Sequence, residues 1–373
     1  MNERLVNFTF NASDVRNGTE LTKIEHLIRA LDYFVLPAIV IIGTLGNIMS
    51  FLTFVSKPLG LCSSSVLLAL RSVSDLGFLG TVFVIWLSAV FELHLNDVKA
   101  VCQLLVFASY VCGCFSVWLV VLVTVENFLR IFKPFTVSKI CTRKKAKLIS
   151  GIMAIIITGI YSFPFWTIGP QCRPENSYRS FVKIMVYVDA VLTMVLPVCI
   201  IFPAMVAIIL SSFGICVRRK KLSTSSLTGN RPLKKVTSML SVVTLSCLIL
   251  NLPSHIVRIY LLITTRNENR YVQTNVSLSQ SISLLLYYTS FSINVVIYYA
   301  FGSRFRNAFK NLFYHRCCTK TGENRKNYIA SPEDRKMSKV MFHCKTPLNQ
   351  QTSCSSACYY PGSGLRYASG SDV

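Results

Sequence analysis

Residues 100–131 read AVCQLLVFASYVCGCFSVWLVVLVTVENFLRI, and the first charged side chain in that stretch is Glu126. Its opening 26 residues carry no charge. A helix needs about 20 mostly apolar residues to cross the hydrocarbon core of a bilayer, so this run suffices alone. Six comparable stretches frame it: Leu31–Val55, Val66–Phe91, Leu148–Ile168, Phe181–Val217, Val236–Ile263 and Ser279–Phe301. Composition agrees. Of 373 residues, 52% are hydrophobic and only 15% charged, against about 25% charged in a soluble domain. The connections are short and leave no room for a separate soluble domain. The sequence therefore predicts an all-α membrane protein, a seven-transmembrane helix bundle over residues 31–302. An N-terminal tail over 1–30 precedes it; a short amphipathic eighth helix (303–318) and a disordered tail (319–373) follow.

Orientation is read from two independent signals. The N-terminus has no apolar core and is not expected to be a cleavable signal peptide. It carries three glycosylation triplets, at Asn7, Asn11 and Asn17, and a fourth begins at Asn275 between spans six and seven. Such sites are modified on the lumenal side. Residues 130–147 and 217–235 each hold seven Lys/Arg and no acid, and the tail from Gly302 holds twelve against four acids. Positive charge collects on the cytoplasmic side, so both signals place the N-terminus outside, at the plasma membrane. The net charge of +23 is thus mainly a topology signal that also attracts anionic lipid. Nucleic-acid binding is a poor reading of it and is not expected, because the basic residues flank spans and are not interleaved with stacking aromatics.

The 14 cysteines are too scattered for a disulfide scaffold or a zinc site. In this topology only Cys102 and Cys172 face an oxidising compartment. They are expected to pair and to tie the second outer loop across the bundle mouth. Cys317 and Cys318, just past the amphipathic segment, are palmitoylation candidates.

An ordered set of landmarks runs along the spans: Gly46-Asn47, Asp75, Glu126 placed 24 residues after Cys102, Pro134, Pro197, Pro253, Asn294-Val-Val-Ile-Tyr298, and Phe305 with Phe309. In this order they resemble the rhodopsin-like G-protein-coupled receptors, over roughly residues 30 to 318. The resemblance implies activation and coupling roles for Glu126, Asn127, Pro134 and Tyr298. The chain also departs from that pattern. Asn127 and Phe128 stand where the family has arginine and tyrosine, Val295 replaces a proline of span seven, Asn251 a tryptophan, and Met205 a tyrosine. The tryptophan expected in span four is absent.

Ionisable groups inside a span are functional hypotheses by default. For Asp75 the resemblance implies a sodium pocket shared with Ser116, Ser290 and Asn294, all oxygen ligands suited to a hard cation. The other reading is a structural hydrogen-bond cluster reached through Asn47. Arg71, four residues before Asp75, lies on the same helix face. It either supplies charge missing at Asn127 or snorkels to the inner interface.

In the outer half, Ser109 replaces the aspartate of the family's amine receptors and Tyr288 the lysine of its opsins. The expected cavity wall is Trp86, Ser109, Tyr110, Asp189, Asn251, Ser254, His255, Arg258, Gln280 and Tyr288, a polar and aromatic set suited to a peptide. Asp189 and Arg258 either pair with each other or each hold an opposite charge on the ligand. His255 reads as a hydrogen-bonding wall residue, since no Cys/His cluster accompanies it.

No phosphate loop, nucleophile–base pair or metal-ligand cluster occurs, so neither an enzyme nor a cofactor beyond sodium is expected. The reading is a cell-surface receptor activated by an extracellular (neuro)peptide and signalling through heterotrimeric G proteins. Arrestin and receptor kinases are expected as further partners, and the Ser-rich tail offers candidate phosphorylation sites. The C-terminal Ser371-Asp372-Val373 fits a PDZ-domain groove. The alternative is an atypical receptor, a scavenger or arrestin-only, that binds ligand without G-protein coupling. A transporter is disfavoured, because the halves show no repeat.

Overall fold

The computed structural model describes residues 15–57, 59–93, 95, 98–169, 172–221, 231–263 and 270–315. Inside hydrocarbon every backbone N–H and C=O must find a partner within its own segment, and the apolar runs accordingly fold as helices. The first span is α1 (Val15–Ala30), a π-helical turn at Leu31–Val35 and α2 (Leu36–Val55). The second and third are α3 (Ser63–Val90) and α4 (Lys99–Phe132), with a short α5 (Pro134–Ile140) in the connection that follows. The fourth is α6 (Arg143–Ile160) and α7 (Pro164–Thr167). The fifth is α8 (Arg179–Ala190), a π-helical turn at Val191–Val195 and α9 (Leu196–Lys221). The sixth is α10 (Arg231–Ile263), and the seventh is α11 (Arg270–Ser292) with α12 (Asn294–Phe301). Then comes α13 (Ser303–Lys310).

Among the described residues six helices are long and apolar enough to cross a membrane, and the pair α11–α12 makes a seventh when counted as one span. The bundle is polar inside and apolar outside. Asn47, Asp75 and Asn294 are buried, whereas Ile42, Ile155 and Leu210 are each more than half exposed. That inversion is stable only where the surroundings are as apolar as the helix faces they touch.

Two spans begin earlier than hydropathy indicates. Residues 15–30, expected as tail, form α1, which packs on α11 and buries Ile28. Span seven starts at Arg270 rather than Ser279. Both extensions are polar in sequence, so an apolar-window reading passes over them. Asn17 lies in the backbone of α1 and Asn275 in α11, while Asn7 and Asn11 fall outside the described residues.

Span seven bends by 50° between α11 and α12, although Val295 stands in the place of the family's proline. The cause is a diverted carbonyl. Phe291 O accepts the side-chain amides of Asn47 (2.8 Å) and Asn294 (3.3 Å), and side chains inserted into the i→i−4 ladder kink a helix as proline does. Close packing holds the bent segment against α2. A Cβ on Gly46 would lie 2.6 Å from Val295 Cγ1, and one on Gly43 would strike the Ser292 side chain and come within 2.8 Å of Leu79 Cδ1. Two outcomes are expected. Val295→Pro leaves thermal stability close to wild type, because the bend already exists. Asn47→Ala, which removes the shorter of the two bonds to a buried acceptor, costs about 1 kcal/mol, read as a lower Tm of the purified protein.

Candidate functional site

Cys102, at the start of α4, is disulfide-bonded to Cys172. This fixes the connection between spans four and five across one end of the bundle. Gln103 reinforces the tie, its Nε2 donating to the carbonyls of Phe165 (3.0 Å) and Ile168 (2.9 Å). Beneath it is a cavity of about 430 Å³ among α4, α8, α10 and α11. An ion pair dominates its wall. Arg258 Nη1 lies 2.5 Å from Asp189 Oδ2, and Nη2 donates to the Tyr110 hydroxyl at 3.2 Å. Tyr161 OH donates to the other carboxylate oxygen at 2.8 Å, and its ring stacks on Tyr110. Asp189 is buried with both oxygens filled, whereas the Arg258 side chain remains 36% exposed. The charge the cavity offers to a visitor is therefore positive. His255 faces the edge of Tyr287, and its Nε2 has no hydrogen-bond partner.

Half-way down the bundle, Asp75 Oδ1 accepts from Ser116 Oγ (2.5 Å) and Oδ2 from Asn294 Nδ2 (2.7 Å). Arg71 Nε is 3.7 Å from Oδ2. This set does not fit a sodium ion. The Ser290 hydroxyl is turned to its own helix, donating to Tyr287 O at 2.7 Å, and a guanidinium already sits beside the carboxylate. A second unit charge about 4 Å from it would cost roughly 4 kcal/mol at an effective dielectric of 20.

At the end away from the disulfide, Glu126 is buried. It accepts from Ser63 Oγ (2.5 Å) and Ser64 Oγ (2.8 Å) and pairs with Arg130, which also donates to Ser64. Asn127 reaches across to α10, its Nδ2 donating to Ser241 Oγ (3.3 Å) and Thr237 O (3.5 Å). One turn away, the hydroxyls of Thr124 and Thr244 meet at 2.9 Å. Spans three and six are thus joined by neutral groups.

The sequence model of the family described as 7 transmembrane receptor (rhodopsin family) matches residues 46–298. The chain belongs to this family. It is a multi-pass membrane receptor, and a ligand and G-protein partners follow in general terms from that membership. No curated protein matches the chain.

In this receptor the cavity wall holds Ser109, Tyr110, Asp189, Ser254, His255, Arg258 and Gln280 of the set expected from sequence. Three others lie elsewhere. Trp86 donates its indole N–H to Asp32 O (3.0 Å) in the π-helical turn of span one. Asn251 is buried one turn below His255, bonded to Cys247 Sγ at 3.3 Å. Tyr288 packs beside Phe78, and it is Tyr287, about 100° around the helix, that lines the cavity. Arg71 does not snorkel; it is 2% exposed. Glu126 finds its counter-charge in Arg130, whose i,i+4 spacing was a sequence signal for that pair. Tyr161 carried no such signal.

Met205, in the family's tyrosine position, packs with Val120, Val121, Ile201 and Ile208. Tyr298 is buried edge-on against Phe54. Trp118 of α4 bonds Leu192 O in the π-helical turn of span five (3.1 Å) and packs against Ile157 and Tyr161 of the fourth span. Pro134 opens α5 at its first turn, where a missing N–H is harmless. Cys317, Cys318 and the Ser371–Val373 terminus lie outside the described residues.

Proposed function

We propose that this receptor is activated from the extracellular side by a peptide bearing an anionic group, and that it signals through a heterotrimeric G protein. The N-terminus and the disulfide end are outside in this reading. The basic connections and the α13 surface, with Phe305 turned inward, face the cytoplasm and the inner leaflet. One observation carries the ligand class. Arg258 is held by a buried carboxylate, yet it lines the cavity and its side chain stays 36% exposed. With its two Nη groups directed to Asp189 and Tyr110, the guanidinium takes an incoming carboxylate through its free edge. Tyr110, Gln280 and Tyr287 offer the mixed polar and aromatic wall that peptide side chains require.

The test is G-protein dissociation in cells expressing the receptor, driven by a peptide library in which every sequence is present as free acid and as amide. Free-acid peptides are expected to give the response, and Arg258→Gln to abolish it while surface expression persists. A response confined to amidated, cationic peptides would overturn the reading. Asn127, standing in place of the family's arginine, favours a second reading, in which ligand binding recruits arrestin without G-protein dissociation. Scoring arrestin in the same cells separates the two, and dissociation that appears only in Asn127→Arg would support the second.

A further inference from the structure

Among the described residues, Arg71 is the one buried cation of the middle bundle that neither the ligand cavity nor the Glu126 cluster uses. It sits on α3 one turn from Asp75, 2% exposed. A side chain of that length usually carries its charge to water. Here the guanidinium stays inside, within electrostatic reach of Asp75, Tyr298 and Cys247, which belong to α3, α12 and α10. Its Nε and Nη1 have no hydrogen-bond partner, and its charge is favoured by the neighbouring Tyr298 hydroxyl as well as by the Asp75 carboxylate, 3.7 Å from Nε. A buried carboxylate needs a compensating charge, and among the described residues only Arg71 lies within ion-pair distance of this one.

We propose that Arg71 is a tethered cation standing where a sodium ion would otherwise compensate Asp75, so that the receptor's stability and its switching do not depend on sodium. A cation fixed to the chain is present at every salt concentration, because its local concentration is set by the tether and not by the medium. Its loss should create what it replaces. With Arg71 neutralised, Asp75 and the Ser116 hydroxyl remain as oxygen ligands facing an uncompensated space. A hard cation that binds only the folded state then stabilises it in proportion to its concentration. The proposal is independent of the ligand's identity and of the transducer.

The experiment is thermal unfolding of the purified full-length receptor in NaCl and in KCl at matched ionic strength, over a range of concentrations. Wild-type midpoints are expected to agree between the salts to within about 1 °C, and those of Arg71→Leu to rise by several degrees with NaCl but not with KCl. Arg71→Leu combined with Asp75→Asn should lose that rise. A sodium-specific rise in the wild type overturns the proposal, as does its absence in folded Arg71→Leu. Where Arg71→Leu does not fold, Arg71→Gln replaces it with similar shape and no charge. Where neither variant folds, the wild-type comparison decides by itself.

Discussion

Arg258→Leu is expected to lower the stability of the purified receptor by about 3 kcal/mol, the cost of stranding one member of a buried ion pair. Asp189→Leu is expected to cost less, about 1–2 kcal/mol, since the guanidinium it leaves behind already reaches the cavity and can hydrate. The asymmetry follows from burial. The Asp189 carboxylate is 5% exposed and Arg258 is 36% exposed, so only the carboxylate is trapped when its partner goes. The double variant should be less destabilised than the sum of the two, because neither orphan charge remains. Thermal unfolding of the four proteins measures this cycle. Equal losses from the two single variants would show that Arg258 depends on the pair as heavily as Asp189 does. Function should divide differently. Asp189→Asn leaves Tyr110 and the open edge of Arg258 in place and is expected to retain a response to free-acid peptides. Loss of that response, with Arg258→Gln still active, would place the ligand's own cation at Asp189.

Asn127→Ala combined with Thr124→Val is expected to raise ligand-independent activity. The two positions make polar contacts that tie span three to span six at the end away from the disulfide: Asn127 to Ser241 and Thr237 O, and Thr124 to Thr244. Each such contact contributes about 1 kcal/mol. Removing the three therefore shifts the closed–open balance by about 3 kcal/mol, on the order of a hundredfold. Basal nucleotide exchange on a co-expressed G protein reads the change directly. A basal level no higher than wild type, at equal surface expression, would mean that these contacts do not restrain span six. Glu126→Gln gives a companion measurement. It keeps the shape of the Ser63–Ser64–Arg130 cluster but removes the charge that Arg130 pairs with, and it is expected to be milder because Arg130 is partly exposed and can turn to water.

The departures from the family pattern take on physical content here. Val295 does not remove the bend of span seven, because two asparagine amides divert the Phe291 carbonyl. Asn127 does not leave Glu126 unpaired, because Arg130 stands one turn further on. Met205 does not leave a gap, because the neighbouring residues of spans three and five are apolar and close around it. In each case a neighbour in three dimensions performs the local task assigned to a missing residue. Such compensation is invisible to a motif read position by position.

What the amino-acid sequence determined by itself was the solvent and the architecture. Seven predominantly apolar runs of spanning length leave few alternatives, since a chain in hydrocarbon must satisfy its backbone internally. Landmarks such as Asp75, Glu126 and Asn294 sit at fixed distances along single helices, and so they were legible in one dimension. Only the tertiary structure decided how side chains from different helices meet. It paired Asp189 with Arg258 across spans five and six, and it set Tyr161 on the remaining carboxylate oxygen. It chose Tyr287 over Tyr288 for the cavity, turned Trp86 away toward span one, and closed Arg71 in beside Asp75. The physical reason is rotational. A helix advances about 100° per residue, and π-helical turns such as those at Leu31–Val35 and Val191–Val195 shift that phase further. The face a residue presents is settled by how its helix packs against the others, which no single run of sequence records.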